Sequence, residues 1–298
     1  MSSIQVLSIG TFDGVHRGHQ ALLERAALHA RRLSSGFAVL TFDPPPKAVL
    51  RPDSPVAELT PRQEKVSWLE AFGATEVDVI PFTAEFARVE AEAFLEEWVW
   101  ERFHPAVLIE GHDFTFGREA RGTIEVLRRW AAAHAITLEV LEPVRLDGVV
   151  VSSTEIRGLV RDGQLSAARV FLGHPFAAYG RVERGEARGR RLGFPTANVA
   201  LAPTKQMPPY GIYAGMTRLA DGERYMAVAS WGVRPMFQTC DPMLEVHILD
   251  YAGSLYDQML WFEFESYLRP EAAFAGLEEL QAAMQADVTT ARARLAGG

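Results

Sequence analysis

Residues 7 to 24, LSIGTFDGVHRGHQALLE, constrain this chain more than any other stretch. An apolar run from Ile4 to Ile9 ends at Gly10, Thr11, Phe12, Asp13 and Gly14, where the backbone has to turn sharply, and a helical period is running by Gln20. The pattern predicts strand, glycine turn, helix. His16 and His19 stand three residues apart at the mouth of that helix, a spacing that places side chains on one face. Free backbone N–H groups and the helix dipole favour a phosphate there. Gly18 removes a side chain that would hold backbone and ligand apart. Two imidazoles and a helix N-terminus thus converge on one anionic group.

The rest of the chain narrows what that group can belong to. At 298 residues the length suggests about two domains, each able to bury its own core. With 48% hydrophobic and 23% charged residues the composition is that of a globular protein. No apolar run approaches the roughly 18 residues of a transmembrane helix, and the start MSSIQV lacks the segments of a signal peptide, so a cytoplasmic protein without membrane partners is expected. Cys240 is the sole cysteine, which rules out an internal disulfide, a CxxC pair and a Cys-rich zinc site. A net charge of −8 argues against broad nucleic-acid binding. The lysines are Lys47, Lys65 and Lys205, and none follows a glycine as a Walker A motif requires. Phosphate handling therefore falls to Arg, His, hydroxyls and backbone N–H groups. There is no GxGxxG and no HExxH.

Taken in order, the first half alternates strands and helices. Strands are predicted at Phe37 to Phe42, Glu76 to Pro81, Ala106 to Ile109 and Thr137 to Leu141, and helices at ALLERAALHARRL, Pro61 to Phe72, Ala84 to Phe103 and Thr123 to His134. Such alternation implies a parallel sheet of βαβ units, with ligands beyond the carboxyl ends of the strands. Asp43-Pro44-Pro45-Pro46 makes a rigid rim at one such end. EGHDFTFGREARG at another places Gly111, Asp113, Phe114, Phe116 and Gly117 where a ligand or a buried aromatic turn would lie. Trp98 and Trp100 read as packing residues. Ser152, Ser153 and Thr154 stand before a helix with Glu155 close behind and Arg157 in its first turn, fit either for helix capping or for clamping a triphosphate.

Beyond Gly173 the style changes to short alternating strands: Ala177 to Val182, Gly211 to Thr217, Tyr225 to Ala229, Leu244 to Leu249 and Gln258 to Phe264. They predict a small antiparallel barrel closed by a helix at roughly Ala272 to Leu295. The expected domains are 1–173 and 174–298. The second opens with GRVERGEARGRRLGFPTANVAL, in which Gly180, Gly185, Gly189 and Gly193 with five arginines form a flexible positive arch before Pro195-Thr196-Ala197-Asn198 enters a strand. Glu245 and His247 alternate on one strand face, looking either into the barrel or away from it.

Together these motifs carry a resemblance. GTFDGVHRGH resembles the HxGH signature of nucleotidyltransferases in the longer form of the prokaryotic bifunctional riboflavin kinase/FMN adenylyltransferases. HxGH alone is shared with pantetheine-phosphate and nicotinamide-mononucleotide adenylyltransferases and with class I aminoacyl-tRNA synthetases. GHDFTFG is similar to that family's GxDFxFG, SSTEIR to its SSTxIR, GRRLGFPTAN to its GRxLGFPTAN, PPYGIY to its PxxGVY, and LEVHILD and LRPEAAF to further kinase segments. The resemblance implies an α/β architecture: an N-terminal Rossmann-like nucleotidyltransferase domain and a C-terminal antiparallel barrel with a closing helix. For adenylyl transfer it implies an ATP site of Gly10, Thr11, Phe12, Asp13, Gly14, His16, Gly18 and His19, completed by Ser152, Ser153, Thr154 and Arg157, with FMN at Gly111, Asp113, Phe114, Phe116 and Gly117. For the kinase it implies ATP at Gly180, Gly189, Gly193, Pro195, Thr196 and Asn198, Mg²⁺ on Thr196 and Asn198, and Glu245 as the base for the riboflavin 5′-hydroxyl. Arg269 and Phe274 would close over the flavin, with Trp231 either stacking on it or packing in the interior. Mg²⁺, which suits oxygen ligands, is the implied metal, and ATP, riboflavin, FMN and FAD are the small molecules handled. Oligomeric state is not read from the sequence.

The chain also departs from the family. Pro45 stands where FxPHP carries a histidine, and SWGVRPMF puts Ser230 and Met236 where NxGxxPTF has asparagine and threonine. The expected function is phosphorylation of riboflavin to FMN followed by adenylylation to FAD with release of pyrophosphate. The rivals are an FMN adenylyltransferase with an impaired kinase, a nucleotidyltransferase of another substrate such as pantetheine phosphate, and a flavin-binding module with decayed catalysis.

Overall fold

The computed structural model describes residues 4–184, 193–219, 222–233 and 242–296. By packing, the chain forms two compact units, Met1–Ser153 and Thr154–Gly298.

In the first unit β1 (Ile4–Ile9), β2 (Gly36–Asp43), β3 (Glu76–Pro81), β4 (Val107–Gly111) and β5 (Thr137–Leu141) form an all-parallel sheet in the order β3-β2-β1-β4-β5. The predicted strands recur within two residues at each end. β1 and β2 are nearly continuous apolar runs because both faces of the sheet are covered. Leu7, Ile9, Leu40 and Leu108 belong to one core layer and Val6, Val39, Val107 and Ile109 to the other. Helices Arg17–Arg32, Arg62–Ala71 and Ile124–Ala133 supply the covering side chains, among them Leu23, Leu69 and Leu127. The strand order reverses at β1, with β2 and β3 on one side and β4 and β5 on the other, so a topological switch point lies between the carboxyl ends of β1 and β4.

Two local expectations change. The helix expected over Ala84 to Phe103 is a 3₁₀ turn at Phe86–Arg88 and a helix running from Ala91 to Phe103, π-helical over Phe94–Trp100. The break has a cause: Val89 and Glu90 are extended, and the Val89 carbonyl accepts the Arg118 N–H at 2.7 Å. A hairpin of β6 (Arg145–Leu146) and β7 (Val149–Val150) also appears, turning on Asp147 and Gly148, both with positive φ. Asp-Gly is a strong hairpin signal that the sequence analysis passed over.

The second unit begins with helices Ser153–Arg161, whose first residue still belongs to the first unit, and Leu165–Leu172. A closed barrel follows, of β8 (Ala177–Glu183), β9 (Ala197–Ala200), β10 (Gly211–Arg218), β11 (Arg224–Val233), β12 (Pro242–Ile248) and β13 (Met259–Arg269), in the order β10-β11-β12-β9-β8-β13 with antiparallel neighbours. The final helix, Leu277–Leu295, starts after Gly276, five residues later than expected. Leu165–Leu172 buries Leu165, Ala168 and Leu172 and packs against β13, so it groups with the barrel although the change of sequence pattern falls after it. Among the described residues no helix is long and apolar enough to cross a membrane.

Candidate functional site

The turn after β1 is held in a conformation that its residues do not prefer. Phe12 (φ 48°), Gly14 (φ 84°) and Val15 (φ 37°) are all left-handed, although Phe12 and Val15 are buried side chains that gain nothing there. Such non-glycine residues cost of order 1–3 kcal/mol each and persist only when their surroundings impose them. Here the surroundings are specific. The Thr60 N–H donates to Asp13 Oδ1 at 3.0 Å, the Gly14 N–H to the Thr60 hydroxyl at 2.7 Å, and the Ser153 hydroxyl to the Asp13 carbonyl at 2.9 Å. Ser153, the last residue of the first unit, thus helps to hold the turn.

The helix after the turn begins at Arg17, earlier than its apolar period suggested, with His16 at the N-cap. No side chain caps it and its first turn holds no acid, an arrangement that suits an anion. The His16 and His19 rings are stacked, centroids 3.7 Å apart and 15° from parallel, with Phe12 against His19 at 5.0 Å. Gly18 serves the His16 ring directly: a Cβ there would lie 3.1 Å from His16 Cε1. Burial, with help from His16 and Lys65, holds the His19 imidazole well below its usual pKa. At neutral pH it is therefore an uncharged N–H donor, and its buried Nδ1 makes no hydrogen bond.

Lys65 was not singled out from the sequence as part of this site. It lies in the Arg62–Ala71 helix with 1% of its surface exposed, and its Nζ donates to the carbonyls of Thr11 at 3.2 Å and Phe42 at 3.0 Å. Burial lowers its pKa, against the opposing pull of Glu58, Asp13 and Asp43. Glu58, Thr60 and Glu64 are buried around it, so residues 58–65 form a polar wedge under the turn. The available signal was helical spacing: Lys65 lies four residues before buried Leu69, on the stripe that must face inward. Glu110, at the end of β4, is likewise buried and accepts the Ile9 N–H at 2.8 Å.

Beyond the ends of β2, β3 and β4 lies a cavity of about 640 Å³ walled by Phe42, Phe82, Phe86, Phe94, Phe114 and Phe116 and rimmed by Arg88 and Arg118. Its size and aromatic walls suit a planar heteroaromatic ligand. Of the GHDFTFG residues, Phe114, Phe116 and Gly117 line it, whereas Gly111 and Asp113 do not, and the Asp113 side chain is 85% exposed. Gly117 is required by space: at φ 68° an added Cβ would sit 2.6 Å from Ala91 Cα. Trp98 packs edge-on to Phe86 at 5.0 Å, the packing role expected of it.

In the second unit Thr154 is exposed and Arg157 half-buried, with Arg157 Nη2 donating to the Thr154 hydroxyl at 3.3 Å. On the barrel, Leu244, Val246 and Ile248 are buried while Glu245 and His247 alternate with them, so that pair looks away from the interior. Glu245 is in register with Asn198 of β9 and Ser230 of β11, and the Thr196 hydroxyl donates to its Oε2 at 3.5 Å. Ser230 also donates to Glu271 Oε1 at 3.4 Å, and burial raises the Glu271 pKa, with neighbouring Glu245 adding to the effect. His247 Nδ1 pairs with the Pro195 carbonyl at 2.8 Å and so shapes the PTAN entry.

Among the described kinase residues, Gly180 is placed otherwise than expected. Gly180 is not in a flexible arch but inside β8, where a Cβ would come 2.0 Å from the Ala200 carbonyl, so the glycine serves strand approach. Gly193 does turn, at φ 83°. Trp231 pairs with inward-facing Leu244, opposite in facing to Glu245, is 8% exposed and donates Nε1–H to the Pro208 carbonyl at 3.1 Å. That places its ring in the interior, on the strand face opposite Glu245. Arg269 is engaged by Asp287 of the final helix through bonds of 2.8 and 2.7 Å, with Phe274 5.7 Å from its guanidinium. Gly185, Gly189 and Met236 lie outside the described residues.

Comparison with known proteins covers both units. Residues 2–155 match the FAD synthetase family and residues 172–295 the riboflavin kinase family. The chain is 35% identical over 288 residues to the bifunctional riboflavin kinase/FMN adenylyltransferase of Haemophilus influenzae, covering 96% of this chain and 93% of that protein. It is 36% identical over 289 residues to the protein of the same name from Escherichia coli K12, covering 96% and 91%. A Streptococcus pneumoniae crystal structure described as a macrolide-efflux protein aligns with a TM-score of 0.82 at 29% identity, covering 98% of this chain and 95% of that one.

Proposed function

We propose a division of labour among the residues of a chain that belongs to the bifunctional riboflavin kinase/FMN adenylyltransferase family. It is a transferase of two steps: ATP phosphorylates riboflavin to FMN, and a second ATP adenylylates FMN to FAD.

For adenylyl transfer the reading rests on the stacked His16–His19 pair at an uncapped helix start. The start and Gly10 to Gly14 receive the ATP phosphates, and His16 and His19 donate to them as charge moves onto the departing pyrophosphate. As negative charge builds on the departing pyrophosphate, the hydrogen bond donated by the neutral His19 strengthens. The FMN phosphate brings its own nucleophilic oxygen, so no general base is required. The aromatic cavity, lined by Phe114 and Phe116, takes the isoalloxazine. Ser152, Ser153, Thr154 and Arg157 are assigned to the β- and γ-phosphates by the SSTEIR motif. Positioning and neutralisation supply most of the rate.

For the kinase, Glu245 takes the proton of the riboflavin 5′-hydroxyl as its oxygen attacks the γ-phosphorus and ADP leaves. Thr196 and Asn198 beside it would hold Mg²⁺. The donor set fits: both offer neutral oxygens, and no cluster of three or more His, Cys, Asp or Glu able to hold a metal exists among the described residues, so phosphates and water would complete the shell. The ion would neutralise phosphate charge. Functional domains of 1–173 and 174–298 are retained on the change of sequence pattern and on the two family matches.

The test is reciprocal. His19→Ala is expected to lower FAD formation from FMN about 10²- to 10³-fold with riboflavin phosphorylation intact, and Glu245→Gln to lower FMN formation about 10²- to 10⁴-fold with FAD formation from supplied FMN intact. Chromatography of both products over time reads the two rates. Equal loss of both activities in either variant would refute the division.

A further inference from the structure

We infer that Lys65 is a positioning residue for adenylyl transfer, fixing the distance between the phosphate turn and the aromatic cavity. The inference rests on the assignment of the His16–His19 turn and the cavity to that half-reaction. The Lys65 ammonium joins two carbonyls of different parentage. Thr11 belongs to the turn whose strained continuation carries His16, while Phe42 contributes its ring to the cavity wall. Each donor–acceptor pair is charge-assisted and so stronger than a neutral one. The Thr41 hydroxyl spans the same gap to Thr11 at 3.3 Å, but as a neutral donor.

An ammonium in this place needs an explanation. Position 65 lies on the inward stripe of its helix, where a leucine would pack without the desolvation that a buried charge incurs. The sequence instead keeps one of its three lysines there and gathers Asp13, Asp43 and Glu58 about it, with Arg62 opposing. The charge also reaches the reacting side. The charged groups acting on His19 are His16 and Lys65, both of which disfavour its protonation. A fixed cation behind the turn thus adds to burial and His16 in keeping His19 an uncharged donor, while the two hydrogen bonds keep the turn at one distance from the cavity. Misplacement by about 1 Å can lower a rate about 10²-fold, so a rigid link between the two substrate positions bears directly on the reaction.

The experiment compares the full-length wild type with Lys65→Met and Lys65→Arg, measuring FAD formation from FMN and ATP across pH, with riboflavin phosphorylation by the same preparations as internal control. Lys65→Met is expected to lower kcat for FAD formation about 10- to 10²-fold and, because a cation beside His19 is gone, to move the acid limb of kcat/KM for ATP to higher pH. Riboflavin phosphorylation should stay at the wild-type rate. Lys65→Arg keeps the charge but its broader head cannot reproduce the two bonds in so enclosed a place, so kcat should fall with the acid limb unmoved. Wild-type kcat and an unmoved limb in Lys65→Met would overturn the inference, as would a loss that tracks only the unfolded fraction. Should Lys65→Met not fold, Lys65→Arg decides: a wild-type rate overturns the inference and a lowered kcat with an intact kinase supports it. A His19→Ala variant that still makes FAD would instead remove the underlying site assignment.

Discussion

Glu110 shows how one residue carries a measurable pH dependence. Burial pushes its carboxyl pKa well above the ordinary 4.5, against the pull of its hydrogen bond from the Ile9 N–H. The native state therefore holds a proton that the unfolded chain releases once pH rises above its ordinary carboxylate value. Between the two pKa values the unfolded state binds fewer protons, and stability falls with rising pH by up to about 1.4 kcal/mol per unit. Below the unfolded value both states are protonated and the difference vanishes. Glu110→Gln keeps an oxygen for Ile9 and has no proton to lose. Its Tm should match wild type in acid and exceed it increasingly toward alkaline pH, as scanning calorimetry at several pH values would show. Parallel Tm profiles would mean that Glu110 ionises freely in the native state. Residues of this kind resist sequence reading for a physical reason. His16 and His19 announce themselves by spacing, but Glu110 and Lys65 gain their properties from burial, which distant strands impose.

At the scale of elements, the inner strands were legible because a buried parallel strand needs an apolar run with turn residues at its ends, and β1, β2 and β4 obey that rule, while the edge strands β3 and β5 alternate apolar with polar residues. The helix expected over Ala84 to Phe103 was not, because the break at Val89 is made by a bond from Arg118, nearly thirty residues away. The same contact region makes Gly117 decisive. With φ at 68° and Ala91 backbone 2.6 Å from any added Cβ, Gly117→Ala has to displace the loop that bears Phe114 and Phe116. Destabilisation of about 1–3 kcal/mol is expected, together with a raised KM for FMN in FAD formation and an unchanged KM for riboflavin in the kinase assay. An unchanged KM for FMN would show that the loop does not shape the flavin site. Facing was harder to read than element type: alternation put Glu245 and His247 on one side, but only the register with Ser230 and Asn198, set against inward Trp231 and Leu244, showed which side.

At the scale of the whole molecule, the sequence style changes at Gly173 while the packing divides after Ser153. The difference arises because helix Leu165–Leu172 looks like the first half in sequence but buries its apolar side on β13, where Arg169 also pairs with Glu265. A barrel fragment cut at residue 174 loses that cover and one cut at 154 keeps it. The fragment 154–298 should therefore unfold at a higher temperature than 174–298 and bind less of an apolar-surface dye, with both retaining the residues assigned to riboflavin phosphorylation. Equal Tm and dye binding would show that the two helices add nothing to the barrel.

The scarcity of lysine has a practical consequence. Lys65 and Lys205 are buried and Lys47 is exposed. An amine-acylating reagent thus meets one accessible ε-amino group in the native protein, and a label at Lys65 records an excursion in which the wedge has left the turn. The rate of that second labelling, followed by peptide mass spectrometry, is a clock for the opening of the phosphate site, and ATP, by holding the turn closed, would slow it.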